Sequence, residues 1–327
     1  MDKKYVGSRH GFYYRLWQPD TQEGRKPPVA KAQQQNIILE LSAVIVGIKK
    51  GQPHIMVAQG NHLPAGPLQT NHRKLEQALR VWVKAQVGLN LGYVEQLYTF
   101  ADKDRLADGQ RVISIGYLAL TRHMPTQGTV AWYDFLPWED HRDGMASVLP
   151  LIQSRLRDWE KQAPTPALRA VRRARTGLHF PLQPRLWHEE LVLQRYELLW
   201  EAGLLPESRH KQKGALLPAG LAMAQDHRRI LATAMARLRA KIKYRPVVFE
   251  LMEDHFTLLQ LQNTLEALAG VRLHKQNFRR LVLHEGLLEA LPTQLQQGRG
   301  RPAHYYAFRR EVLDARAMVG TKLPRAG

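Results

Sequence analysis

The chain has 327 residues, enough for two or three domains, and 44% of them are apolar, enough for packed cores. Its 48 Lys and Arg against 29 Asp and Glu leave a formal charge of +19, which favours a polyanionic partner, nucleic acid before an anionic membrane surface. No cysteine is present, which excludes disulfides, thiolate metal sites and a cysteine nucleophile; no apolar leader or spanning segment is visible, so a soluble cytoplasmic protein with no membrane partner is expected. Residues 1–35 are polar, with Gly24-Arg-Lys-Pro-Pro28 and glutamines at 33–35, and read as an N-terminal arm. An α/β segment follows over 36–138. Ile37–Ile48 is a strand interrupted by Glu40, Lys49–Pro53 a turn, and Ile55–Ala58 the start of the next strand. Leu75–Val87 has helical period, with Leu75, Ala78, Leu79 and Trp82 inward. Val94–Phe100 and Val112–Leu120 are two more strands around a loop at Arg105–Gly109, and Val130–Phe135 is a further strand candidate. Residues 139–215 read as a helical insert or linker. Val148–Gln162 and Glu189–Ala202 carry helical patterns, and the basic run Arg169–Arg175 between them reads as a solvated face.

The region 216–315 says most about function; 316–327 is a tail. From Asp226 to Gly327 there are 18 Lys and Arg against 9 Asp and Glu. A helix over Asp226–Lys243 carries Ile230, Leu231, Ala234, Met235, Leu238 and Ile242 on one stripe, with Asp226 as N-cap and Pro246 beyond its end. Thr257-Leu-Leu-Gln260 has capping-box spacing and opens a second helix with Leu258, Leu261, Leu265 and Leu268 inward, ended by Gly270. A third helix runs from Lys275 to His284, with Phe278, Leu281 and Val282 inward and Lys275, Gln276, Asn277, Arg279 and Arg280 outward. Two apolar runs, Leu287–Leu291 and Tyr305–Phe308, then flank a tip carrying Arg299 and Arg301. This order is that of a winged helix-turn-helix. Arg and Lys suit the guanine edge in the major groove, Gln and Asn suit adenine, and the tip arginines suit phosphates or a narrow minor groove. The implied partner is double-stranded operator DNA, bound by a homodimer on two half-sites about one helical turn apart. The Asp226–Lys243 stripe is either a dimer contact or a joint between domains.

The α/β segment resembles a Nudix domain, on Leu63-Pro64-Ala65-Gly66-Pro67, the helix from Leu75, and Gly88-Leu89. In Nudix hydrolases this loop–helix–loop carries glutamates that bind magnesium and activate water for diphosphate cleavage. With Gly88 as the closing glycine, the acidic positions fall at Arg73, Trp82, Ala85 and Gln86, and the arginine at Val81. Glu76 is the only acid in the helix. One carboxylate cannot assemble a hard divalent-cation site, so no metal, no catalytic residue and no enzyme activity are expected.

With this frame beside the winged helix, the chain resembles the Nudix-related transcriptional regulators of NAD metabolism, the NrtR-like family, and within it the NadQ group. The matching residues are Glu95–Phe100, Gly116–Leu120, Asp226-His227 with Ile230-Leu231, Asn277-Phe-Arg-Arg280, Gly298–Ala303, and Gln194–Gly203 for the NadQ group. The fold class this implies is α/β + α: a degenerate Nudix-like domain, a helical insert and a C-terminal winged helix-turn-helix. The resemblance implies a repressor of de novo NAD synthesis genes with no required cofactor and an effector that is NAD, ADP-ribose or ATP. Tyr98 and Phe100, two apart on a strand and so on one face, could stack an adenine, while Arg105 and Arg111 could reach a diphosphate. Arg73 and Arg80 stand where positive charge could replace the lost magnesium. Two departures are His274, where the family often has an Asp cap, and the loop at 104–111, where it often has an Asp-Pro-rich segment. The alternatives are a Nudix-type diphosphatase with an accessory nucleic-acid-binding domain, and a basic RNA-binding or architectural protein with no ligand.

Overall fold

Lys50 and Gly51 are both left-handed (φ 51° and 73°), the combination a two-residue hairpin turn requires, and they fold strand β1 (Ile38–Lys49) back onto β2 (Gln52–Met56). The computed structural model describes residues 37–101, 111–181, 183, 186–208, 210, 217, 220–243, 247–295 and 303–309. The N-terminal arm, Arg105, the tip with Arg299 and Arg301, and the tail lie outside them. A mixed sheet runs β4-β5-β1-β2-β6, with β3 (Ala65–Pro67) also on β1; β4 is Val94–Phe100, β5 Val112–Leu120 and β6 Thr129–Ala131. Among the described residues only β1 and β5 pair in parallel.

Alternation along β1 assigns its two faces. Leu41, Ala43 and Ile45 pack with Ala78, Leu79 and Val83 of helix α1 (Leu75–Val87), which closes on left-handed Gly88. Val44 and Val46 join the larger core on the other face. The strand expected over Val130–Phe135 ends at Ala131, and Trp132–Phe135 is a single helical turn, α2. A strand would point Trp132 and Phe135 to opposite faces; both are fully buried, and the turn puts both into the core.

Three helices follow: α3 (Leu149–Lys161), α4 (Pro166–His179) and α5 (Val192–Glu201). The basic run lies on α4, whose Thr165 cap accepts from the Leu168 amide. Most of that helix is exposed, but Arg172 stacks on the Trp159 ring at 4.2 Å and donates to the Trp159 carbonyl at 2.7 Å. Helix α6 (His227–Ile242) then returns to lie on β1, β4 and β5, on the face opposite α1. Gly116 admits it: a side chain there would meet the Phe100 ring at 3.1 Å and Ile230 at 3.2 Å. The stripe Ile230, Leu231, Ala234, Met235 and Leu238 is buried in this second layer. Of the two roles open to it, the structure shows the joint.

The C-terminal part contains β7 (Phe256–Thr257), α7 (Leu258–Ala269), α8 (Lys275–His284), β8 (Leu288–Leu295) and β9 (Ala303–Phe308), the strands in the order β7-β9-β8. This is a winged helix-turn-helix behind an α/β domain. The capping box forms as expected: the Thr257 hydroxyl accepts from the Gln260 amide and the Gln260 side chain accepts from the Thr257 amide at 2.7 Å. The winged helix shares one apolar core with the sheet domain through Phe256, Leu258, Leu261, Leu268 and Phe278.

A buried polar joint reinforces that contact. Glu139 is fully buried and takes both carboxylate oxygens to Arg195 of α5, at 2.6 and 2.9 Å, and one to Arg239 of α6 at 2.6 Å. Arg239 also donates to the Leu268 carbonyl at 3.0 Å, the Tyr133 hydroxyl donates to the Ala267 carbonyl at 2.7 Å, and the His141 amide donates to the Gly270 carbonyl at 2.7 Å. The carbonyls of Ala267 and Leu268 at the end of α7, and of its cap Gly270, are therefore satisfied by the rest of the molecule. Gly270 is needed twice over: its φ is 74°, and a side chain there would sit 2.2 Å from the Glu139 carbonyl.

Candidate nucleic-acid interface and nucleotide pocket

Helix α8 is anchored by Phe278, which is buried, and Val282, which is half-buried, one helical turn apart. That orientation leaves Lys275, Gln276, Asn277, Arg279 and Arg280 exposed on a face with no acid in the helix. His274 occupies the N-cap without a side-chain cap bond, as an imidazole in place of a carboxylate would lead one to expect. One expectation fails here. Leu281, assigned inward, is 58% exposed, because the inner face of this short helix is already filled by Phe278 and Val282. The strands β8 and β9 run toward the wing tip, but Arg299 and Arg301 fall outside the described residues.

On the sheet domain, the face of α1 that should carry acids carries neutral groups tied to the backbone. The Gln86 amide bonds both ways with Ala65, accepting from its amide at 3.2 Å and donating to its carbonyl at 2.6 Å. The Trp82 indole donates to the Pro67 carbonyl at 3.1 Å and covers Gly66 so closely that a side chain there would lie 2.3 Å from the ring. A Nudix fold implies magnesium at this place; these residues do not fit it. They offer no carboxylate, and the space over β3 is filled by an indole. Among the described residues no group of three His, Asp or Glu side chains is placed to hold a metal ion.

The six proposed nucleotide contacts do not form one set. Arg73 is exposed in the loop before α1. Arg80 spends its guanidinium on the structure: it donates to the Leu91 carbonyl, to the Gly92 carbonyl at 3.1 Å and to Glu76 at 2.8 Å, fastening α1 to the chain before β4. Tyr98 and Phe100 both turn toward cations of α6 but differ in burial. A bulge between Gln96 and Thr99 shifts the register of β4 on β5, so Leu97 and Phe100 are buried while Tyr98 is 54% exposed. Tyr98 lies under the Arg237 guanidinium at 5.5 Å, and Phe100 under Arg229 at 5.8 Å. Phe100 also packs in the core on the α6 side, across the sheet from Arg80. Arg111 is half-buried at the start of β5, where its carbonyl accepts from the Ile38 amide at 2.9 Å; Arg105 is outside the described residues.

Sequence reasoning missed a polar cluster at that same end of the sheet. Ser114 pairs with Phe100 across β4–β5 and with Glu40 across β1–β5. Its hydroxyl donates to Glu40 at 2.8 Å and lies 3.5 Å from the Ser42 hydroxyl, both serines being fully buried. The available signal was the placing of Glu40 and Ser42 within an otherwise apolar strand. A second missed cluster joins β4 to α6. Lys241 donates to Glu95 and, at 2.5 Å, to the Tyr93 hydroxyl, while Arg237 stands 3.6 Å from Glu95. Burial raises the Glu95 carboxyl, but hydrogen bonds from Lys241 and Tyr93 with the two cations outweigh it and hold it below the ordinary value.

Residues 248–308 match the family model of the NrtR DNA-binding winged helix domain. The winged helix is of the NrtR type. A curated relative, the ADPR responsive transcriptional repressor NtrR of Acinetobacter baylyi, is 37% identical over 94 residues, 29% of this chain; the match spans 37% of that relative's length. Two solved structures are similar to this chain. The Shewanella oneidensis NrtR complexed with a 27-mer DNA is 21% identical, with 84% of this chain and 95% of that one covered and a TM-score of 0.48. The Nudix domain of the same protein complexed with ADP-ribose is 27% identical over 33% of this chain and 70% of that one, with a TM-score of 0.25. The matched residues span the capping box, Gly270, α8 and strands β8 and β9.

Proposed function

We propose that this chain is a cytoplasmic DNA-binding transcriptional repressor of NAD synthesis genes, released or tightened by an NAD-related nucleotide held by a catalytically dead Nudix-like domain. The observation that carries the reading is the exposed, acid-free face of α8 within a winged helix of the NrtR type. Lys275, Arg279 and Arg280 supply the charge, and Gln276, Asn277 and Arg280 the base-edge chemistry. A single recognition helix reads one half-site, so a homodimer on a two-fold operator is the assembly this module calls for. ADP-ribose is the first effector to try, ahead of NAD and ATP, because the curated relative is named for its response to it. Arg111 and Glu40, both half-buried at the same end of the sheet, offer a cation for a diphosphate and an acceptor for a ribose hydroxyl. The loss of the acids, with Trp82 and Gln86 bound into the frame, supports a sensor rather than a hydrolase.

Helix α6 supplies the route between the two parts. Arg229, Arg237 and Lys241 engage Phe100, Tyr98 and Glu95 of β4, while Arg239 on another side caps α7. A nucleotide that shifts β4 would reach the DNA-reading unit through this one helix. The test is to select an operator from a random duplex library, then titrate it with protein at fixed salt, alone and with saturating ADP-ribose, NAD or ATP. A coupling of about 1–3 kcal/mol, roughly 5- to 150-fold in operator affinity, is expected from at least one nucleotide. No enriched sequence would remove the repressor reading; an operator bound identically in all conditions would remove the sensor.

A further inference from the structure

The recognition helix carries two leucines that neither its fold nor phosphate binding explains. Leu281 is 58% and Leu283 49% exposed, in a helix whose other outward side chains are Lys275, Gln276, Asn277, Arg279, Arg280 and His284. Phe278 and Val282 face the core, so the line Gln276, Arg280 and Leu283, spaced i, i+4, i+7, points away from it. Leu281 lies on the flank, in a surface hollow of about 390 Å³ lined also by Asn277, Arg280 and His284. A leucine offers nothing to a phosphate, and a partner that covered these two beside three cations would remove apolar surface from water. The partner must be anionic overall yet present an apolar group. A second copy of this face would set Lys275, Arg279 and Arg280 against themselves. A DNA duplex meets both demands: its phosphates are the anion, and its major groove displays one apolar group, the C5 methyl of thymine.

We infer that Leu281 and Leu283 contact thymine methyl groups beside the bases read by Gln276, Asn277 and Arg280, and so set the T-containing steps of the operator. This rests on the DNA-binding reading above and adds a specific base chemistry to it, one that RNA cannot satisfy because uracil lacks the methyl.

The experiment substitutes dU for dT, one position at a time, in an operator selected with the full-length wild-type protein. The exchange deletes the methyl and leaves pairing unchanged. At one or more positions the wild type should bind about 4-fold more weakly, the ratio that corresponds to ~0.8 kcal/mol for one buried carbon. Leu281→Ala or Leu283→Ala should lose a similar factor on the dT operator and become indifferent to dU at its own position. Both side chains are exposed, so the melting temperature of each variant should stay at the wild-type value. Selection that enriches no sequence removes the DNA reading and this inference with it. An enriched operator at which every dU exchange is neutral overturns this inference alone. Neutral dU exchanges together with loss of the dimer in the leucine variants would assign the leucines to a second copy instead.

Discussion

Glu139→Gln tests whether the buried joint holds the winged helix to the sheet domain. Glu139, Arg195 and Arg239 are all fully buried, and three charge-assisted hydrogen bonds of 2.6–2.9 Å converge on one carboxylate. Burial alone would raise the Glu139 carboxyl. The two guanidiniums outweigh it and hold it below the ordinary value, so the group is ionised at neutral pH. The amide keeps the shape but removes the charge, leaving two buried cations without their anion. Removing one partner of a buried pair costs about 3–5 kcal/mol. A contrast is built into the molecule. Arg122 and Asp254 also meet at 2.6 Å, but with 33% and 81% of their side chains exposed, so Asp254→Asn should cost under about 1 kcal/mol. Urea denaturation followed by circular dichroism measures both. Linkage gives a sign as well. Because the folded carboxyl is held low, its contribution is complete above the unfolded value near 4.3 and is lost as pH falls through the folded one, so Glu139→Gln should flatten the acid limb. Equal, sub-kilocalorie losses for Glu139→Gln and Asp254→Asn would refute the reasoning.

Arg279→Ala or Gln276→Ala should cost on the order of 1–3 kcal/mol of operator affinity and relax specificity at one base pair, read by binding to an operator panel; undiminished specificity would remove α8 as the reader. Gly270→Ala meets both a left-handed backbone (φ 74°) and the Glu139 carbonyl 2.2 Å away, so it should lower the melting temperature, whereas Gly177→Ala, with nothing near it, should not. His179 is held down to about 4 by burial and by the charges of Arg195 and Arg175, so it stays neutral in the folded protein where the unfolded chain takes up a proton. Stability should therefore fall as pH drops from about 6.5 toward 4, and His179→Gln should remove that part of the dependence when melting temperature is followed against pH. The protein with magnesium or manganese should not hydrolyse ADP-ribose; turnover of about 1–1000 per second, abolished by Glu76→Gln, would restore a hydrolase.

What could be read in advance was what local chemistry dictates. The α1 bounds follow from an unbroken apolar period and a closing glycine, and the α7 start from a hydroxyl and an amide three residues apart. The face of α8 followed from spacing alone, apart from Leu281. What could not be read depends on meetings between distant residues. Glu139 finds Arg195 and Arg239 at separations of 56 and 100 residues, and no pattern near any of the three marks it as buried. The bulge in β4 is set by its pairing with β5, and it leaves Tyr98 exposed between the buried Leu97 and Phe100, which simple alternation does not give. Helix α6 was legible as a helix but not as a layer of the sheet domain, because its stripe would serve either role and only Gly116 on a distant strand admits it.

The segment over α1 that resembles a Nudix box holds its frame without paired acids. Paired glutamates in the last turn of a helix repel one another and oppose the helix dipole, so a metal-binding helix of that kind relies on its cation for part of its stability. Here the last turn carries Lys84, which complements the dipole, and Gln86, which holds Ala65 by two hydrogen bonds. Trp82 adds a third bond and fills the space over Gly66. The helix is thereby fixed to β3 without an ion. Restoring single acids should reduce stability: Gln86→Glu loses its donor to the Ala65 carbonyl and places a negative charge at the helix end, a cost of about 0.5–1.5 kcal/mol for a hydrogen bond lost at an exposed position. The check is the melting temperature with and without magnesium. Rescue of Gln86→Glu by the cation would mean that a metal site survives; a drop that magnesium leaves unchanged is expected, because one carboxylate beside an indole gives the ion too few oxygens.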